Sequence, residues 1–517
     1  MICSVKVLAF YLPQFHEIPE NNRWWGDGFT EWTAVRQAIP RYAGHQQPVR
    51  PLHNNYYNLL DKDTMLWQAN LAKKNGIHGM AFYHYWFKDG RKILEKPAEN
   101  LLKWQDVDMP FCFNWANETW ARTWSNLVNK NSWTNSYESD LDEREDGVLL
   151  DQKYGEEKDW LEHIEYLLPF FQDERYIRKD GKPVFIIYKP EEIPCISDIK
   201  ECWERYLFKH NISGVFFIGG IDSCYKSNIY WADCFDAFYL MSPRTVFDLI
   251  TPSKVIDGIK MFSEDAYWKC FFDINKGHTL DNRDIYQCVV NGYDDTPRHG
   301  CGGTVLKKFS LDGFKTNFDK VIHKAAQEKH EFVFFNAWNE WGEGMYLEPD
   351  VACGDGYLKM IKSSLEDCIC DKNILSKNAQ TKDIDGYIAN KLVSALYRDS
   401  ITVKLMDKWL TLKEKGVSMS NYLLSKGIKT VAIYGYGYLG RHLYNELKDS
   451  CISVKYIIDK NDFRLRGSCP VYHLKDCLPE VDAIIVTPSG QYCNIKKDIM
   501  RYVNYQVLSL EHILVEC

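Results

Sequence analysis

The sequence predicts an α/β chain: a (β/α)8 TIM-like barrel over residues 1–365, a helical connector over 366–425 and a small Rossmann-like α/β domain over 426–517. Three observations predict it. Eight short apolar, β-rich runs recur up to residue 338. Helix-like stretches separate several of them. Polar and aromatic residues collect just after the runs, at the strand ends where barrels build their sites.

The runs, in order, are "VKVLAFYL" (5–12), "GMAFYHY" (79–85), "PFCFNW" (110–115), "PVFIIY" (183–188), "GVFFIGG" (214–220), "CFDAFYLM" (234–241), "IYQCVV" (285–290) and "FVFFNAW" (332–338). Continuous apolar runs of this length read as parallel strands buried on both faces. Between them, 62–76, 157–174 and 314–330 have helical spacing, the first ending on a glycine that suits a C-cap. The strand ends carry "PQFH" (13–16), "HYW" (84–86), "NWANETW" (114–120), "DS" (222–223), "SPR" (242–244), "NGYDDTPR" (291–298) and "NEWGE" (339–343). Residues 366–425 lose the strand pattern and read as charged helix. From 429 a strand, a glycine-rich turn and a helix open the second α/β unit.

Composition excludes several classes. The net charge of −8 argues against nucleic acid as a partner. No stretch reaches about 18 apolar residues, so no transmembrane segment is expected. The start "MICSVKVLAFYLPQ" has no basic flank or small-residue cleavage site and reads as a first strand. The 17 cysteines are scattered without a framework pattern, which suggests reduced thiols in a cytoplasmic protein. His16, His45, His53 and His84 lack ligand spacing, so no metal is expected.

The strand-end residues suggest the chemistry. "FFNAWNEWGEG" (334–344) sets Glu340 and Glu343 three positions apart after a strand. A helical turn there puts both on one face, about 5–6 Å apart at Cβ. That spacing suits a retaining glycosidic mechanism, which uses carboxyl groups about 5–5.5 Å apart. Two acids so close resist joint ionisation, so one serves as acid and one as base. "WWGDGFTEW" (24–32) and "NWANETW" (114–120) offer Trp24, Trp25, Glu31, Trp32, Asn114, Trp115, Asn117 and Glu118. Indole faces, amides and carboxylates are the groups that sugar rings and hydroxyls bind; packed loops and a buried amide network are the competing readings. In the C-terminal domain, "GYGYLG" supplies Gly435, Gly437 and Gly440, with Asp459 after the next strand. This matches the dinucleotide fingerprint in context. The length matches one mononucleotide half, and the glycines also suit plain helix–strand packing. A weakly held nucleotide or nucleotide-sugar is the cofactor expectation for this domain; the barrel needs none.

Together, "FYLPQFHEIPENNRWWGDGFTEWTAV", "GHQQPVRP", "AFYHYWF", "PFCFNWANETW", "NGYDDTPR" and "FFNAWNEWGEGMYLEPD" resemble the WbsX-type proteins, a glycosyltransferase group with a glycoside hydrolase family 99-like domain. The resemblance covers roughly 5–360. It implies a (β/α)8 barrel, a role in bacterial surface polysaccharide assembly, and retaining chemistry on mannose-type α-linkages. The N-E-W-x-E motif of family 99 falls on Asn339, Glu340, Trp341, Gly342 and Glu343. It implies that Glu340 deprotonates a sugar 2-hydroxyl, forming a 1,2-anhydro sugar, and that Glu343 is the acid and then the base. The hydrolases carry His where this chain has Gly342. Tyr11, Gln14, His16, Tyr83, Tyr85, Trp86, Asn339 and Trp341 join the expected substrate contacts. The expected partner is an oligosaccharide or a lipid-linked glycan, reached in the cytoplasm or at the inner face of the membrane.

Two rival classes remain. A non-catalytic glycan-binding scaffold has no need of the Glu340–Glu343 pair. An NAD-dependent sugar oxidoreductase run by the C-terminal domain lacks a nearby Tyr-x-x-x-Lys pair. Within the enzyme reading, transfer and hydrolysis both fit.

Overall fold

The computed structural model describes residues 5–121, 148–221, 232–275, 279–280, 283–371, 405–406, 408–459, 469–488 and 492–516. Asp222, Ser223 and most of the expected connector lie outside these residues. The chain divides into two compact units, one of residues 1–189, 201–224 and 235–382, the other of 190–200, 225–234 and 383–517.

The first unit carries the barrel. Its strands are β1 (Lys6–Tyr11), β2 (Ile77–Trp86), β3 (Phe111–Trp115), β4 (Lys182–Ile187), β5 (Phe216–Ile221), β6 (Ala237–Leu240), β7 (Arg283–Tyr286 and Cys288–Val289) and β8 (Phe332–Phe335). All neighbours pair in parallel from β1 to β7. The break in β7 falls at Gln287. Its first piece pairs with β6 and its second with β8, and β8 pairs with β1 through Leu8 and Phe334. The ring of eight strands thus closes. Sequences such as KVLAFY and FVFF are buried along nearly their whole length, as expected of strands covered by helices outside and side chains inside.

The interior is a packed core. Phe10 lies against Tyr83, Tyr239 and Phe334, with ring centroids 5.9, 5.2 and 5.4 Å apart. This aromatic layer stops the barrel from being a pore and forms the floor beneath the C-terminal strand ends. Outside run helices Lys62–Lys74, Glu157–Gln172 and Leu311–Gln327. The last is capped by Ser310, whose hydroxyl accepts the Gly313 N–H at 3.1 Å. Residue 365, the boundary expected from the sequence, falls inside a helix, Gly356–Asp371.

In the second unit, β9 (Thr430–Tyr434), β10 (Ser453–Ile458), β11 (Val471–Tyr472), β12 (Ala483–Val486) and β13 (Gln506–Ser509) form a parallel sheet in the order β11-β10-β9-β12-β13. Residues on both faces are buried, Ile433, Leu443 and Leu514 on one and Tyr456, Ile484 and Ile499 on the other. The sheet reaches past the single mononucleotide half expected from its length. Two strands lie beyond β9, because 483–509 holds two short strands joined by helix Tyr492–Met500. The strand order therefore reverses beside β9, as in doubly wound dinucleotide-binding sheets.

Candidate active site

After β8 the chain makes a tight hairpin. Asn339–Glu340 pairs antiparallel with Met345–Tyr346, and a 3-10 turn, Trp341–Glu343, joins them. Side chains at i and i+3 eclipse in such a turn, so Glu340 and Glu343 project to the same side. Gly344 closes it at φ 66, and a Cβ there would stand 2.9 Å from the Asp294 nitrogen. Only glycine allows both that backbone angle and that approach.

Three buried contacts hold the hairpin. The Asn339 amide donates to the Leu12 carbonyl at 3.0 Å and accepts the Leu12 N–H at 2.7 Å, tying the turn to the end of β1. Glu348 accepts from the indoles of Trp338 and Trp341 at 2.9 and 2.7 Å, from Gln68 at 2.7 Å and from Tyr57 at 2.8 Å. The Trp341 ring also stacks on Tyr346 at 3.7 Å. Burial pushes the Glu348 carboxyl up to about 7 against the pull of these donors.

Glu340 and Glu343 line a cavity of 470 Å³ at the C-terminal ends of the strands, with Tyr83, Tyr85, Glu118 and Tyr188 among its walls. Both acids sit on one guanidinium. Arg298 donates through Nη2 to Glu340 Oε2 at 3.0 Å and to Glu31 Oε1 at 2.7 Å, and through Nη1 to Glu343. Three carboxylates thus share one buried cation. Burial is the largest influence on Glu340 and pushes it up to about 8; Arg298 opposes this, while Glu343 and Glu31 add to it. Burial pulls Arg298 down, yet its three acids outweigh that and hold it well above its usual value. Asp295, also in the cavity wall, is pushed up to about 7, first by burial and then by the Glu343 charge, against the Thr304 N–H it accepts. Burial and the Glu340 charge hold Tyr83 and Tyr85 well above the usual phenol value, so both stay hydroxyl donors.

The sequence-predicted residues divide into groups. Glu340, Glu343, Tyr83, Tyr85 and Glu118 line the cavity, Glu118 paired with Lys189. Asn114 is fully buried and level with Tyr83 in the β2–β3 register, and neither amide atom has a protein partner. Trp24 packs on Trp120, which lines the cavity, with centroids 5.7 Å apart.

Most of the remaining predicted contacts have their polar atoms taken up by the protein, whereas Gln14 Oε1 and both His16 ring nitrogens are buried without a hydrogen-bond partner among the described residues. Glu31 binds Arg298 and accepts the Gly342 N–H at 3.1 Å. Tyr11 donates to Gln68 at 2.7 Å. The Trp32 indole donates to the Tyr57 carbonyl and that of Trp115 to the Trp86 carbonyl. Trp86 stacks on His163 at 4.5 Å, and Trp25 packs on Phe29. Asn117 bonds the backbone of Lys189. Gln14 and His16 are buried off the cavity, and Asn339 and Trp341 hold the hairpin as described above.

Sequence reasoning missed Arg298, Asp295 and Glu348. The polar run "NGYDDTPR" after β7 was the available signal for the first two. Among the described residues no group of three or more His, Cys, Asp and Glu is placed to hold a metal ion, and no helix is long and apolar enough to cross a membrane.

In the second unit, Gly435 adopts φ 86 and a Cβ on Gly440 would stand 2.0 Å from the Gly435 carbonyl oxygen. Gly440 therefore serves close helix–strand packing. Gly437 has open space around it. The Asp459 carboxylate accepts the Tyr436 N–H at 2.7 Å, stapling the glycine-rich turn.

Residues 7–361 match the family described as Glycosyltransferase WbsX. The uncharacterized protein WxcX of Xanthomonas campestris pv. campestris, in strains B100 and ATCC 33913, is 31% identical over 369 residues, which are 69% of this chain and 49% of WxcX. The chain thus spans about half the length of these curated relatives. Among solved structures, the GH99 endo-α-mannosidase from Bacteroides thetaiotaomicron is 17% identical with a TM-score of 0.42, covering 72% of this chain and 100% of its own. A glycoside hydrolase-like protein is 15% identical with a TM-score of 0.43, covering 70% and 94%.

Proposed function

Because the chain belongs to the WbsX glycosyltransferase family, we propose that its barrel is a retaining glycosyltransferase acting on mannose-type α-linkages in bacterial surface polysaccharide synthesis. The observation that carries the reading is the pair Glu340 and Glu343, facing one cavity from one guanidinium.

Glu340 accepts the proton of a sugar 2-hydroxyl as the 2-oxygen attacks C1. The bond from C1 to the leaving oxygen breaks, and Glu343 gives that oxygen its proton. The product is a 1,2-anhydro sugar. An acceptor hydroxyl then attacks C1 while Glu343 takes its proton, the C1–O2 bond opens, and O2 recovers its proton from Glu340. Two inversions give net retention. The high proton affinity of Glu340 suits a base that must take a proton from an alcohol. Arg298 limits that affinity and holds both carboxylates in place. Tyr83, Tyr85 and the unpaired Asn114 amide are proposed to bind substrate hydroxyls, since buried amides are paired in native structures.

The hydrolytic alternative uses water as the acceptor. A Cβ at residue 342 would stand 2.0 Å from Glu31 Oε1. The space that a side chain at residue 342 would need is therefore held by Glu31. The acceptor is proposed to be a lipid-linked or free oligosaccharide met on the cytoplasmic side. The C-terminal unit is proposed to hold a nucleotide weakly or not at all, and to stay out of the bond-making step.

Purified protein incubated with nucleotide-sugars or α-mannosides, and followed by proton NMR at the anomeric position, tests this. Retention is expected. Glu340→Gln and Glu343→Gln should each cost about 10²–10⁴ in rate with the fold intact. Near wild-type turnover in either variant removes that residue from the mechanism.

A further inference from the structure

A second cavity of 460 Å³ backs onto the catalytic one. The chain segments 293–295 and 343–346 form the wall between them. Asp295, Glu343 and Met345 face the catalytic side, and Asp294, Gly344 and Tyr346 face the other. Successive side chains point to opposite faces of an extended segment, so one layer of backbone serves both cavities.

The acids and the cations in this second cavity are in different situations. Asp294 is occupied by protein donors: His45 Nε2 at 2.7 Å, Gln47 at 2.8 Å, and the hydroxyl and N–H of Thr296 at 2.6 and 3.1 Å. His45 Nδ1 accepts the Arg41 N–H at 3.0 Å, which leaves Nε2 as the donor. Asp350 accepts the Tyr346 hydroxyl at 2.7 Å and the Cys353 N–H. Lys308 is partly buried, its ammonium 3.2 Å from the Tyr346 ring centroid and making a long bond of 3.4 Å to Asp350 Oδ2. That is longer than the roughly 2.7–2.9 Å of a good charge-assisted bond. Burial pulls it down to about 8, with Asp350 opposing. At the rim, Arg50 and Lys307 are exposed, and among the described residues neither side chain has a hydrogen-bond or ion-pair partner.

From this arrangement we infer that the second cavity is a binding site for a phosphorylated sugar. Lys308 holds the phosphate from inside and Arg50 and Lys307 hold it from the rim. The ring of Tyr42, one face of which stacks on His45, offers its other face as a flat apolar surface in the lining on which a sugar can lie. Phosphate fits better than a carboxylate because the two unpaired rim cations, Arg50 and Lys307, match a dianion. The volume is in the range of small-ligand sites. The inference does not rest on which bond the catalytic cavity makes or breaks.

Isothermal titration of the full chain in phosphate-free, low-salt buffer tests it, with glucose 1-phosphate, UDP-glucose, glucuronate, glucose and inorganic phosphate as probes. Saturable binding of glucose 1-phosphate or UDP-glucose is expected, and the tighter of the two identifies a monophosphate or a diphosphate source. Glucose, glucuronate and inorganic phosphate should each bind at least about tenfold more weakly. Lys308→Met should weaken the sugar phosphate about tenfold or more, and the rim variant Arg50→Ala/Lys307→Ala roughly three- to tenfold. The rim variant changes only exposed side chains, so it decides the matter if Lys308→Met does not fold. Glu340→Gln should leave the affinity unchanged. Any of four results overturns the inference: no saturation up to about 10 mM, wild-type affinity in the rim variant, loss of binding in Glu340→Gln, or equal binding of glucuronate, glucose or inorganic phosphate.

Discussion

Replacing Arg298 with methionine tests the electrostatic account of the site most directly. Arg298 is the shared partner of Glu31, Glu340 and Glu343. Methionine keeps much of the volume and removes the charge, leaving three carboxylates close together in a low-dielectric pocket. Breaking a buried ion pair by deleting one partner costs about 3–5 kcal/mol. The carboxylates can escape that cost by taking up protons, so the loss must depend on pH. In the wild type Glu340 is already raised to about 8. A carboxyl raised on folding is more protonated in the native state between its unfolded and folded values, so stability falls as pH rises through that window. Without the guanidinium the carboxyl values climb further and the fall becomes steeper. The expected cost is about 3–5 kcal/mol near pH 8 and no more than about 1–2 kcal/mol near pH 5. Urea denaturation of both proteins at the two pH values measures it. Arg298→Lys should fall between, because an ammonium keeps the charge but not the planar fork that reaches three acids. An equal loss at pH 5 and pH 8 would refute the claim that Arg298 is the counter-charge of this cluster.

Other expectations follow from the same geometry. Catalytic efficiency should change with pH around the value of about 8 to which Glu340 is raised, because the step needs Glu340 ionised while Glu343 still holds the proton it gives; a profile flat from about pH 6 to 9 removes Glu340 as the base. Gly342→Ala puts a Cβ within 2.0 Å of Glu31 Oε1 and should cost about 1–3 kcal/mol in urea denaturation, with a matching fall in turnover as Glu31 and Arg298 shift. A change within about 0.5 kcal/mol would mean that Glu31 relocates freely. Calorimetry of the full chain with NAD should show no tight stoichiometric binding, with Asp459 serving to brace the glycine-rich turn through the Tyr436 N–H; tight binding defeats that reading.

The barrel strands were legible in the sequence because parallel strands buried on both faces must be apolar at every position. "FVFF" and "PVFII" carry that requirement in four or five consecutive residues, and no tertiary information is needed to see it. Glu340 and Glu343 were legible for a related reason: they stand three residues apart, so local backbone geometry alone brings them to one side. The extent of the C-terminal sheet was less so, because β11 is two residues long and leaves almost no periodic trace.

What the tertiary structure decided is which polar groups meet across long separations. Arg298 finds Glu31 across 267 residues and Glu340 across 42, and no local pattern encodes either contact. The tryptophans show the same limit. "WWGDGFTEW" reads equally as a sugar platform or a packed loop, and the outcome rests on whether an indole N–H meets a backbone carbonyl, as Trp32 meets Tyr57, or faces the cavity. A side chain's type states what it can bind. Its partner is set by how eight strands close into a ring, and that closure brought Glu31, the first residue of helix Glu31–Gln37 between β1 and β2, onto the guanidinium that also holds Glu340 and Glu343.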